Sequence, residues 1–139
     1  RSTLAERVWG FFLESTVTCR RCGHRSVTRD PSMDLSLEIS SRRVASVEHA
    51  LGEFFREEHL DADNKIQCDA CKRKQLGMKQ FSLGSLPRVL ALHLKRFDAF
   101  GRKLHKFIEY DEWLELGALT TEGQRARDLR RGLAGGGGR

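Results

Sequence analysis

At 139 residues, 39% hydrophobic and 32% charged, the chain is long enough for one domain with a core and too apolar to be disordered throughout. No apolar run approaches the roughly 18 residues that cross a bilayer, and no membrane partner is expected. The formal charge of +6 raises nucleic-acid binding. However, the basic residues fall in short pairs such as Arg20-Arg21, Arg42-Arg43 and Arg102-Lys103 or lie beyond residue 120, without interleaved aromatics, and nucleic acid is not expected as a partner.

In chain order, Leu4, Val8 and Phe11 or Phe12 recur at helical spacing, which predicts a short amphipathic helix over 4–13 leading into a strand that enters Cys19. Pro31 marks the start of a half-buried strand in which Met33, Leu35, Leu37 and Ile39 alternate with Ser32, Asp34, Ser36 and Glu38. The period then changes. Val47, Leu51, Phe54, Phe55 and Glu58 fall three or four apart behind Ser46, so a helix over 47–60 with Ser46 as its cap is expected. Segment 89–97 is rich in strand formers, and the turn-like Asp98-Ala99-Phe100-Gly101 separates it from a second extended run, 104–110, the pattern of a hairpin. Beyond Leu116 apolar residues thin out and Gly135 to Gly138 follow one another, which reads as a disordered Arg/Gly-rich tail over 117–139.

The cysteines carry the chemistry. All four stand in two C-x-x-C pairs, Cys19 with Cys22 and Cys68 with Cys71. Two residues between ligands let a tight turn aim both thiolates at one ion, and two such turns complete a tetrahedral Cys₄ zinc site. Gly23 suits the left-handed backbone often needed just after the second ligand. The intervening 23–67 is longer than a minimal zinc ribbon requires, so a strand and a helix are inserted between its halves. Disulfides and four unrelated thiols are the alternatives. A disulfide within C-x-x-C is usually redox-active rather than structural and needs an oxidising compartment, so one structural zinc is favoured, in an intracellular protein of nucleus or cytoplasm. His24, beside Cys22, is expected outside the ligand set. With the thiols committed to metal no cysteine nucleophile is left, and none of His24, His49, His59, His93 and His105 sits in a motif for a catalytic base. His93, inside an apolar strand, is expected to be partly buried, and His49 and His59 to lie on or near the helix surface.

Several segments in order resemble the ubiquitin-specific protease family: Phe12 to Cys22 with Gly23, Met33-Asp34-Leu35-Ser36-Leu37, Ala50-Leu51 with Phe54, Cys68 and Cys71, Leu86-Pro87-Arg88-Val89-Leu90, Leu92-His93-Leu94-Lys95-Arg96-Phe97, and Arg102-Lys103. The run Leu-Pro-x-Val-Leu into His-Leu-Lys-Arg-Phe is the most specific of these. The resemblance implies an α+β fold over 1–116: zinc-bearing fingers at 16–81 with an inserted strand and helix, then part of an antiparallel palm sheet at 89–116. The parent would have the right-hand architecture of a papain-like cysteine protease. It further implies a cysteine-type deubiquitinase, which cleaves the isopeptide bond after ubiquitin's C-terminal glycine. The family's cysteine-bearing and Gly-His-Tyr-type segments do not fall among these residues, so no catalytic role is assigned. Tyr110-Asp111 stand where Phe-Pro is common. If 16–81 meets ubiquitin, whose binding surfaces combine apolar and basic side chains, Glu53, Glu57, Glu58, Asp61, Asp63 and Asp69 are the candidate contacts. The alternative is an inert zinc-ribbon module that binds ubiquitin or another protein without cleaving anything.

Overall fold

The computed structural model describes residues 2–135. Helix α1 (Leu4–Trp9) opens with a capping box: Glu6 N–H donates to Thr3 Oγ1 (3.1 Å) and Thr3 N–H to Glu6 Oε2 (2.8 Å). It is shorter than its periodicity predicts because Gly10 N–H closes the last turn on Glu6 O, and the chain then extends.

The centre of the molecule is a four-stranded antiparallel sheet in the order β2-β1-β7-β4, built from β1 (Phe11–Cys19), β2 (Arg25–Ser32), β4 (Glu58–His59) and β7 (Gly77–Leu83). Strand β1 pairs along its length with both β2 and β7, from Phe11 opposite Ser32 to Thr18 opposite Arg25, and from Leu13 opposite Leu83 to Cys19 opposite Gly77. Pro31 does not open the next strand. It lies inside β2 opposite Phe12, and the edge position of β2 tolerates a residue without an N–H to donate. The alternation predicted after it begins at Leu35: β3 (Leu35–Glu38) buries Leu35 and Leu37, Ile39 follows them inward, and Met33 is exposed.

Helix α2 (Val47–Phe54) starts where expected, with Ser46 Oγ accepting from His49 N–H at 3.0 Å. It stops at Phe54 rather than near 60, since Glu58 and His59 join β7 as β4. Its inward face, Val47, Ala50 and Leu51, packs with Phe55, Phe11, Leu35, Leu37, Ile39, Val44, Leu83 and Ile108 as the core. Full burial of each larger side chain is worth about 2 kcal/mol. Phe81 stacks on Phe54 with ring centroids 5.1 Å apart, joining sheet and helix.

Two readings of the second half need correction. The hairpin expected over 89–110 is reduced to one antiparallel bridge, Phe97 with Lys103. Strand β8 (Leu92–Lys95) pairs instead in parallel with β3, Leu35 opposite Leu92 and Leu37 opposite Leu94, because the half-buried Leu92 and Leu94 extend the core that Leu35 and Leu37 begin. His93 therefore lies on the other face and is exposed, not partly buried. Residues 104–110 follow the core without forming a strand: Arg96 Nη1 donates to Leu104 O and Lys106 O, Lys106 Nζ to Ile39 O and Ser41 O, and the Val47 and Glu109 amides bond Glu109 O and Ala45 O.

The expected disordered tail is also corrected over most of its length. A 3-10 turn (Gly117–Leu119) leads into helix α3 (Thr121–Gly135), while 136–139 lie outside the described residues. The helix escapes an apolar-periodicity reading because polar side chains anchor it. Thr120 Oγ1 accepts from Gly123 N–H (3.0 Å) as a cap. Thr121 Oγ1 donates to Glu14 Oε2 (2.8 Å) and lies 2.9 Å from the buried Ser82 Oγ. Gln124 Nε2 donates to Phe81 O, and Asp128 and Arg131 pair with Arg25 and Glu57.

Candidate metal centre

The two C-x-x-C pairs sit in turns at one end of the molecule. The first joins β1 to β2. The second joins β5 (Ile66–Cys68) to β6 (Arg73–Gln75), a small antiparallel hairpin with Cys68 opposite Arg73. Both turns have the same backbone design. Gly23 N–H bonds Cys19 O at 2.8 Å, and Lys72 N–H bonds Cys68 O at 2.9 Å. Gly23 has φ +77° and Lys72 φ +60°, the left-handed region that curls a chain around a metal. The glycine was legible in the sequence. Lys72 was missed, although it follows Cys71 as Gly23 follows Cys22. Arg20 N–H bonds Leu76 O at 2.9 Å and ties the first knuckle to the exit of the second.

The fold brings the four thiols together. Cys19 Sγ is 4.0 Å from Cys71 Sγ, Cys22 Sγ is 3.6 Å from Cys68 Sγ, and all four sulfurs lie within 4.8 Å of one another. Zn–S bonds of about 2.3 Å in a tetrahedron separate sulfurs by about 3.8 Å, so the cluster fits one structural zinc ion. All four cysteines are free of disulfides. Cys19 and Cys68 are buried and Cys22 is exposed, as expected of a site closed on the protein side and formed at the surface. Bound there, zinc would cross-link β1/β2 to β5/β6 and contribute folding energy rather than chemistry.

The ionisation of the cluster is uneven. The Cys22 backbone N–H, aided by that of Arg21 and by neighbouring thiols and opposed by burial, holds Cys19 down to about 7. Cys71 is pushed up to about 12, first by the Cys22 thiol and then by burial and the other sulfurs. Cys71 N–H also bonds Cys68 Sγ at 3.4 Å, an amide-to-sulfur contact that orients the Cys68 sulfur within the knuckle.

Of the other residues singled out, all five histidines are exposed, including His24 beside the cluster. The six acidic candidates are spread over several elements. Glu53 pairs with Arg56 (3.4 Å) and Glu57 with Arg131 (3.6 Å). Glu58 lies on β4, Asp61 caps the 3-10 turn Ala62–Asn64 that contains Asp63, and Asp69 sits inside the second knuckle.

Two knuckles closing one tetrathiolate site at the end of an antiparallel sheet define a zinc-ribbon domain carrying an insertion. Residues 1–131 match the family model described as ubiquitin carboxyl-terminal hydrolase, and the chain belongs to that family. It is similar to ubiquitin carboxyl-terminal hydrolase 25 of Arabidopsis thaliana, 35% identical over 125 residues that cover 89% of this chain and 19% of that protein. Human ubiquitin carboxyl-terminal hydrolase 42 is 38% identical over 116 residues, 83% of this chain and 9% of that protein. Among solved structures, the SAGA Ubp8/Sgf11/Sus1/Sgf73 DUB module bound to monoubiquitin superposes with a TM-score of 0.77 at 32% identity, over 87% of this chain and 28% of that one. The chain thus spans less than a third of the length of each of these relatives.

Proposed function

We propose that this chain supplies the ubiquitin-gripping, zinc-bearing part of a cysteine-type deubiquitinase, with 16–81 acting as fingers and 89–116 contributing to the palm. The observation that carries the reading is the convergence of Cys19, Cys22, Cys68 and Cys71 on one metal-sized site at the end of a sheet whose fold and family are those of deubiquitinase modules solved with ubiquitin. In such an enzyme a thiolate attacks the carbonyl carbon of ubiquitin's last glycine and the lysine amine leaves, which is acyl transfer. Here every thiol belongs to the metal site and every histidine is an exposed surface side chain, so the part played by this chain is holding ubiquitin, not breaking the bond. The acidic residues Glu53, Glu57, Glu58, Asp61, Asp63 and Asp69 are the proposed contacts to ubiquitin's basic side chains.

The test is an NMR titration of labelled ubiquitin with the zinc-loaded chain, run beside a fluorogenic ubiquitin C-terminal substrate. Expected are ubiquitin shifts with a high-micromolar or weaker Kd, about 5 kcal/mol, and no hydrolysis. Absence of shifts at millimolar concentration counts against the grip, and hydrolysis that stops on thiol alkylation counts against the assignment of the cysteines.

A further inference from the structure

Helix α3 is fastened unevenly. At its first turn Thr121 Oγ1 reaches Glu14 and the buried Ser82, and Gln124 Nε2 donates to Phe81 O at 2.8 Å. From Arg125 onward, among the described residues, the side chains that tie it to the sheet and to α2 are two ion pairs, Asp128 with Arg25 at 3.4 Å and Arg131 with Glu57 at 3.6 Å. Arg127 donates to Ala118 O in the turn that leads into the helix. Among the described residues no side chain of α3 joins the core, and Leu129 is 71% exposed. A cavity of about 290 Å³ separates the two sides, with Gly52, Phe55 and Arg56 on one wall and Gln124, Arg127 and Arg131 on the other. Exposed ion pairs contribute little, and an isolated helix of about this length is marginal in water. The far half of α3 can therefore leave, unwinding as it goes, without disturbing the core.

What that half covers gives it a role. Glu57 is one of the carboxylates proposed above to meet ubiquitin's basic side chains, and α3 already supplies it with a basic partner. The helix carries Arg125, Arg127, Arg130 and Arg131 against Glu122 and Asp128, and it lies along 52–57, the segment that holds Glu57. We infer that the far half of α3 is an autoinhibitory strap, which occupies the Glu57 side of the ubiquitin-binding surface and must swing off before ubiquitin seats there. The inference rests on the grip proposed above and adds its regulation. Thr121 and Gln124 form the hinge and Arg131 the catch. Seated α3 and bound ubiquitin need the same carboxylate, so each weakens the other's hold by the same factor, and ubiquitin's affinity is scaled by the fraction of chains whose strap is open.

Two glycines allow a test that alters no charge. A Cβ on Gly123 would overlap Gly117 O, where the helix leaves its lead-in turn, so Gly123→Ala unseats α3. A Cβ on Gly132 meets nothing within 4 Å, so Gly132→Ala favours the helix and holds the strap shut. Labelled ubiquitin is titrated by NMR with the zinc-loaded full chain and each variant at equal zinc content. Gly123→Ala should bind several-fold more tightly than the native chain, a gain that misfolding cannot produce, and Gly132→Ala about threefold more weakly. Adding ubiquitin to the native chain should speed hydrogen exchange of the amides at 125–131, and in a Glu57→Gln background the gain from Gly123→Ala should shrink. Equal affinity of all three chains, or α3 exchange that saturating ubiquitin leaves unchanged, overturns the strap and leaves the grip standing. An absence of ubiquitin shifts with Gly123→Ala at millimolar concentration brings down the grip itself, and the strap with it.

Discussion

Gly23 and Lys72 occupy the same backbone position in two knuckles that share no other sequence beyond their cysteines. Each follows the second ligand of its pair, has a positive φ (77° and 60°), and donates its N–H to the carbonyl of the first ligand. The left-handed region costs an L side chain about 1 kcal/mol or slightly more. Nothing lies within 4 Å of a Cβ built on Gly23, so Gly23→Ala tests the backbone conformation without a steric clash. It should destabilise the zinc-loaded protein by about 1 kcal/mol, and Lys72→Gly should stabilise it by a similar amount. Denaturant unfolding of both variants, with zinc content held equal, measures the two effects.

Zinc binding competes with protons at the four sulfurs. Cys19, held down to about 7 by the Cys22 amide, is already a thiolate at pH 8, while Cys71, pushed up to about 12, still carries its proton. Zinc uptake at about pH 8 should therefore release fewer than four protons. The bound form carries fewer protons than the free one, so the stability that zinc confers is present at alkaline pH and is lost as pH falls. The loss should steepen below about 7, where Cys19 too must give up a proton. Calorimetric titration in buffers of different ionisation enthalpy counts the protons, and the same titration at pH 6 should show the weaker affinity.

The anchoring of α3 separates two kinds of polar contact. Asp128 meets Arg25 at 3.4 Å with both side chains substantially exposed, and such a pair contributes little. Asp128→Ala should change stability by less than about 0.5 kcal/mol. Thr121 instead links the Glu14 carboxylate to Ser82, whose residue is 2% exposed. Thr121→Val removes the shared hydroxyl and strands both partners, so a loss of about 1–3 kcal/mol is expected. Hydrogen exchange of α3 amides in the two variants distinguishes local release of the helix from global destabilisation.

These contrasts also explain which features were legible in the sequence. Leu35, Leu37 and Ile39 advertise a buried face because strand geometry alternates sides, and Ser46 advertises a helix start because a hydroxyl caps free amides. The four cysteines advertise a common site by type and spacing alone. Periodicity says which face is buried but not what it is buried against. Hence the antiparallel hairpin expected from 89–110 became the parallel pairing of Leu92 and Leu94 with Leu35 and Leu37. The same alternation, followed one residue further, would have placed His93 outward. Helix α3 was hidden for a different reason: its attachments run through Thr121, Gln124, Asp128 and Arg131, residue types that in sequence look like any solvated segment. Lys72 was hidden because a lysine gives no sign of a left-handed backbone.

The central claim is that four thiolates from two distant knuckles hold one zinc ion and that the metal supports the fold of the tip. It is tested most directly by elemental analysis of the reduced, purified chain beside its Cys68→Ser variant. The structure predicts close to one zinc per native chain and loss of zinc with unfolding around 16–81 in the variant, chelation of the native protein giving the same unfolded spectrum. Zinc near zero in undamaged native protein, or a Cys68→Ser chain that keeps both its zinc and its fold, would contradict it.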